Sequence, residues 1–112
     1  MKFEWENITQ EIVPSLRAMI AQELINNYNL NQTEAAKLMG VSQPAVSQYL
    51  RRIRGKNNRI FLDTEILSET KKVALVIFEK KLGEQDIDRE FTRLCKFAAG
   101  RSNGKQLAEP IS

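Results

Sequence analysis

Apolar residues return every fourth position along the first third of the chain, at Leu16, Ile20, Leu24 and Tyr28, with Met19, Ala21 and Ile25 beside them. This spacing keeps one side of a helix apolar and predicts a first helix from about Thr9 to Tyr28. Pro14 falls inside it and either starts its regular part or kinks it. Ahead of the helix, Lys2-Phe3-Glu4-Trp5 alternates polar and apolar, which suits a short strand or an ordered arm packing Phe3 and Trp5 on the body. Asn31 and Glu34 have the spacing of a capping box and open a second helix that reaches Met39, where Gly40 ends it. Ser42 caps a third helix to about Arg54, with Pro44 in the first turn, where a missing amide hydrogen leaves no intrahelical bond unmade. Residues 55–58 make a turn, and Arg59-Ile60-Phe61-Leu62 is short enough to be extended.

Asp63 or Thr64 caps a fourth helix reaching about Leu82 and closed by Gly83. A fifth begins at Asp86 or Asp88 and carries the stripe Ile87, Phe91, Leu94 and Ala98 until Gly100 stops it. Residues 101–112 read as a disordered tail. The whole predicts an all-α chain of five helices, in which residues 1–60 form one unit and residues 61–100 a helical pair.

The fourth helix holds six consecutive apolar residues, Val73 to Phe78, which wrap its whole circumference. Such a helix has to be buried on several sides. In so short a chain a second copy is the expected cover for one of them, which makes Val73, Val76, Ile77, Phe78, Phe91 and Leu94 the predicted homodimer interface. Burial by the fifth helix of the same chain is the competing arrangement.

With 112 residues, 42% apolar and 28% charged, the composition is that of one soluble core. No apolar stretch approaches the roughly 20 residues that span a bilayer, and the N-terminus lacks the layout of a secretory signal, so the expectation is a cytoplasmic protein without a membrane partner. A single cysteine, Cys95, and no histidine remove internal disulfides and nearly every zinc or nucleophile-histidine arrangement. The acids are scattered singly along helical segments without a glycine-rich phosphate loop. The expectation is therefore no metal, no cofactor and no enzyme, with Cys95 a small buried hydrophobe.

Net charge is only +3, but its distribution is uneven. Residues 1–34 hold two basic and five acidic side chains, and residues 63–112 hold nine of each. Residues 35–62 hold six basic side chains, Lys37, Arg51, Arg52, Arg54, Lys56 and Arg59, and no acid. A basic block free of acids is the electrostatic footprint of a nucleic-acid site.

That block surrounds the segment from Gln32 to Leu50, which has the spacing of a helix-turn-helix. Ala36 stands where the two helices cross, Gly40 makes the sharp turn, Leu38 and Val41 fill the space between the helices, and Val46 with Tyr49 or Leu50 faces inward. Outside on the third helix remain Gln43, Pro44, Ser47, Gln48, Arg51 and Arg52. A helix in the major groove needs short hydrogen-bonding side chains near its N-terminus and Arg or Lys further along for phosphates. Gln43 and Gln48 each offer the paired donor and acceptor that match adenine, Ser47 can bond a base or a phosphate, and Pro44 or Ala45 can touch a thymine methyl. Gln32, Thr33, Ser42, Arg54 and Lys56 complete the predicted set of DNA contacts.

These residues resemble the helix-turn-helix domains of the phage lambda-repressor-like superfamily, which has a Gln opening the second helix, here Gln32, and a Gln opening the recognition helix, here Gln43. The resemblance implies that this pair bridges phosphate and adenine. From about Ile8 to Lys56 the chain is also similar to an archaeal group of predicted transcriptional regulators, some of which carry a thiamine-phosphate synthase domain after the helix-turn-helix. The chain is too short to hold that second domain, so ligand sensing is not implied and any small-molecule effector is unknown. The expectation is a homodimeric transcriptional regulator reading a palindromic operator in double-stranded DNA. Its alternatives are a protein-interaction or antitoxin-like module on the same fold, and a detached N-terminal domain of a thiamine-pathway enzyme.

Overall fold

Small side chains along one helix decide how the others are arranged. That helix, α1 (Lys2–Tyr28), is 27 residues long and packs against every other helix of the chain. Its residues Ser15, Leu16, Ala18, Met19, Ile20, Ala21 and Leu24 are all buried, so its middle is enclosed on nearly all sides. Ser15, Ala18 and Ala21 allow neighbouring backbones to come close, while Leu16, Ile20 and Leu24 fill the core at about 1.5 to 3 kcal/mol each. Around α1 lie α2 (Gln32–Met39), α3 (Gln43–Gly55), α4 (Arg59–Leu62), α5 (Thr64–Lys80) and α6 (Glu84–Ala108). The computed structural model describes the backbone of residues 2–55 and 59–108 and the side chains of residues 10–53 and 60–101. Every element among the described residues is helical.

Several boundaries differ from those the sequence predicts. Lys2 to Trp5 is the first turn of α1, not a strand or arm. Four residues of alternation are too few to fix a period, and Trp5, Ile8, Ile12 and Leu16 continue the helical spacing in the sequence. The side chains of Phe3 and Trp5 lie outside the described residues, as does most of the turn at 55–58. Pro14 sits inside α1, where its ring omits one backbone bond without ending the helix. Arg59–Leu62 is a short helix and not extended chain.

The start of α5 is held by one carboxylate. Asp63 Oδ1 accepts hydrogen bonds from the backbone N–H groups of Glu65 at 3.0 Å and Ile66 at 3.1 Å, as an N-cap does. The same buried side chain accepts from Arg101 Nε at 3.1 and 3.0 Å, and Arg101 Nη1 reaches Glu65 Oε2 at 3.1 Å. The bond to Asp63 raises the pKa of the guanidinium further above its ordinary value. Arg101 thus belongs to α6, which passes through Gly100 and runs to Ala108. Neither the stop at Gly100 nor the disordered tail holds over residues 101–108, and residues 109–112 lie outside the described residues. Gly83 does not close α5 either. Lys81 takes the left-handed conformation at φ 48°, and its N–H bonds to Ile77 O, so that α6 starts at Glu84, ahead of Asp86.

The apolar run of α5 is covered mostly from within the chain. Val73 and Ile77, with Leu94 of α6, are no more than 2% exposed, so a second copy has nothing left to cover at these three positions of the predicted interface. The fifth helix of the sequence reading, α6, and α1 supply the cover. Val76, Phe78 and Phe91 stay half-buried, Phe78 being stacked on Tyr28 at 4.4 Å between ring centroids. Thr70 is buried in the same helix and donates its hydroxyl to Ile66 O at 2.8 Å, which leaves it satisfied.

Gly100 lies in the interior of α6, and a β-carbon added there meets nothing within 4 Å. Gly100→Ala should stabilise the protein by about 0.5 to 1 kcal/mol in chemical denaturation, the ordinary gain from replacing a helix-interior glycine. A loss of stability would mean that the helix does not pass through this residue.

Candidate nucleic-acid interface

Two caps and a turn fix the angle between α2 and α3. Asn31 Oδ1 accepts from Glu34 N at 2.8 Å while Glu34 Oε1 accepts from Asn31 N at 2.9 Å, the reciprocal pair of a capping box. Gly40 takes φ 72° and donates to Ala36 and Lys37 carbonyls, and Val41 N closes on Ala36 O at 3.0 Å. Side chains rarely adopt that backbone conformation, which is why glycine stands there. Ser42 Oγ accepts from Ala45 N at 3.2 Å and so caps α3. Between the two helices Ala35, Ala36, Met39 and Val46 are buried, and Leu38, Val41, Tyr49 and Leu50 pack against the same core. Tyr49 is thus a packing residue.

At about 100° per residue, Gln43, Pro44, Ser47, Gln48 and Arg51 fall within an arc of roughly 140° on α3, opposite Val46, Tyr49 and Ile53. Gln43, Pro44, Gln48 and Arg51 are exposed, and Ser47 is half-buried. Thr33 and Ser42 are exposed at the neighbouring helix starts, although the Ser42 hydroxyl already serves the cap. Gln43 Nε2 donates to Gln32 Oε1 at 2.6 Å, joining the starts of α3 and α2. One of the two N–H groups of Gln43 is used in this way, leaving the other and the carbonyl oxygen available at the exposed end of α3.

Arg52 departs from the expected role. It lies at the edge of the arc, its side chain 24% exposed, with Nη2 3.4 Å from Glu11 Oε2 of α1. A guanidinium held beside a carboxylate is a weaker phosphate ligand than a free one, so Arg51 is the better placed cation. Glu11 lies 41 residues away in sequence from its partner, a separation at which no local pattern signals a pair. The side chain of Arg54 and all of Lys56 lie outside the described residues.

Other chemistry is sparse. Cys95 is half-buried, and desolvation pushes its thiol up from 9.0 to about 11 despite the nearby charge of Arg17, so at neutral pH it is protonated and a poor nucleophile. Among the described residues no group of three His, Cys, Asp or Glu side chains is placed to hold a metal ion, and no helix is long and apolar enough to cross a membrane. The chain matches no protein-family model, no curated protein and no solved structure.

Ala36 is 3% exposed where α2 packs on α1 and α3. Ala36→Leu should therefore cost about 1 to 3 kcal/mol in chemical denaturation, because larger side chains in a packed crossing force the helices apart. Thr33→Leu, at an exposed site on the same helix, should change stability by less than about 0.5 kcal/mol. Equal effects would show that the crossing is not at Ala36.

Proposed function

We propose that the chain is a sequence-specific DNA-binding transcriptional regulator, in which α2 and α3 form a helix-turn-helix of the lambda-repressor-like kind and α3 enters the major groove. The observation that carries this reading is the bond from Gln43 to Gln32. It fixes the Gln43 amide at the N-terminal end of an exposed polar helix, in the orientation that offers a donor and an acceptor together, the pair that matches adenine N7 and N6. The N–H groups of Gln32, whose oxygen takes that bond, are left to donate to a phosphate. Gln48 one turn further and Arg51 beyond it supply a second base contact and a phosphate contact. The absence of acids between residues 35 and 62 leaves α3 itself without like-charge repulsion toward the duplex.

The same reading includes a homodimer, which places two copies of α3 about 34 Å apart, one turn of DNA, and reads an inverted repeat. Support comes from the apolar surface left on the C-terminal helices, where Leu75 is 41% and Phe97 37% exposed and Val76 is half-buried.

Selection from random duplexes should yield an inverted repeat. On that site Gln43→Ala should lose about 1 to 3 kcal/mol of affinity and almost none on scrambled DNA. Arg51→Ala should weaken both duplexes alike and make the salt dependence shallower by about one unit per subunit. If about six phosphates are neutralised per dimer, the log-log slope for the unaltered protein should lie near −5. A flat salt response, or equal loss on both duplexes for Gln43→Ala, would refute this docking.

Val76→Glu tests the dimer without emptying the core, because this side chain is half-buried whereas Val73 and Ile77 are fully covered. The variant should sediment as a folded monomer at micromolar concentration while the unaltered chain sediments as a dimer. A native monomer for the unaltered chain would overturn the dimer.

A further inference from the structure

A cavity of about 280 Å³ lies where α6 faces the turn between α2 and α3. Its apolar wall comes from three directions: Ile20 of α1, Met39 and Val41 beside the turn, and Ile77 of α5. Its charged groups are of both signs. Arg17 of α1 lies with its guanidinium carbon 5.1 Å from the centre of the Phe91 ring, and Glu84 and Asp88 of α6 also line the space. Among the described residues Arg17 makes no ion pair, and neither Glu84 nor Asp88 has a hydrogen-bonding side-chain partner. Elsewhere on α6 the neighbouring charges do pair, Arg89 with Asp86 and Arg93 with Glu90.

We infer that this cavity binds a small zwitterion with an apolar body, an α-amino acid with an aliphatic, thioether or aromatic side chain. The chemistry excludes the simpler classes in turn. A plain carboxylic acid satisfies Arg17 but meets two carboxylates of its own sign. A plain amine leaves the guanidinium unused. An amphoteric molecule places its carboxylate on the planar fork of Arg17, which lies over the Phe91 ring, and its ammonium near Glu84 and Asp88. These two acids are four positions apart and therefore share one face of α6. The apolar wall then takes the side chain. The volume stands at the lower end of small-molecule sites and holds on the order of ten non-hydrogen atoms, too few for a nucleotide.

Occupancy has a mechanical consequence. α6 packs mainly on α1 and α5, so a ligand in this space joins α6 to Met39, Gly40 and Val41, the turn that sets the angle of α3. A ligand preferring one such angle changes duplex affinity by its differential affinity for the two arrangements. This coupling rests on the DNA-binding reading above; the binding itself rests on the cavity alone.

The test is calorimetric titration of the full chain, without DNA, by L-leucine, L-methionine and L-phenylalanine, together with isocaproate and isoamylamine, the leucine analogues lacking the ammonium and the carboxylate. At least one amino acid should bind with a Kd in the millimolar range or tighter, and the two truncated analogues about tenfold or more weakly than leucine if leucine is the ligand. Arg17→Gln should remove the advantage of leucine over isoamylamine, and Asp88→Asn should reduce its advantage over isocaproate. The comparison of analogues on the unaltered protein stands even if a variant unfolds. No binding by any of the three amino acids, or binding that ignores either charged end, overturns the site. Titrating the selected duplex with and without the bound amino acid then separates the two proposals. Ligand binding without any duplex binding sinks the reading of α3 and leaves the cavity assignment standing, and sequence-specific duplex binding with no amino-acid binding does the reverse.

Discussion

The enclosure of α1 is the constraint on which the rest of the structure depends. A helix surrounded on nearly all sides needs small residues where neighbours press closest and large ones where space remains, and Ser15, Ala18 and Ala21 alternate with Leu16, Met19, Ile20 and Leu24 in that way. Because α2, α3, α5 and α6 all rest on it, the orientation of α3 is set by packing behind it as well as by the turn that leads into it. Enlarging a small residue in α1 is therefore felt on the polar face of α3 without any direct contact.

Against that apolar centre the charges sort by position. The acids of the N-terminal third include Glu11, which lies beside Arg52, and of the two basic side chains of α3 that are described, Arg52 is tied to the body while Arg51 is exposed. An exposed pair of this kind adds little to stability. Its larger effect is on the shape of the local field, since a cation with its own counter-ion contributes less to a positive surface than its count in the sequence implies.

Much of the local structure was legible because caps and turns are written in adjacent residues. The Asn31–Glu34 box, the positive φ of Gly40, the Ser42 cap and the Asp63 cap all stand where their residue types predict. What failed was the reading of glycine as a stop and of alternation as a strand. Gly100 costs its helix roughly 1 kcal/mol relative to alanine, and the helix nevertheless continues to Arg101, whose guanidinium is bound to Asp63 at the start of α5. Gly83 was displaced as a terminator by Lys81, two residues earlier. For the candidate site, the exposed face of α3 and the inward positions of the α2–turn–α3 unit followed from periodicity. The Glu11–Arg52 pair, the perch of Arg17 on Phe91 and the internal cover of Val73, Ile77 and Leu94 depend on which distant segments meet, and a single sequence carries no record of that.

Asp63 serves the free amides at the start of α5 and the guanidinium of Arg101 at once. This gives the molecule an order in time. A chain emerging from its N-terminus can bring α1, α2 and α3 together from residues already made, whereas the bonds from Arg101 to Asp63 and Glu65 cannot form until residue 101 has appeared. The last helix therefore completes the one before it, and the interval between the two events is one in which the apolar run from Val73 to Phe78 stands without its cover from α6. A growing chain is most open to association with other chains during that interval, well after the polar face of α3 has formed.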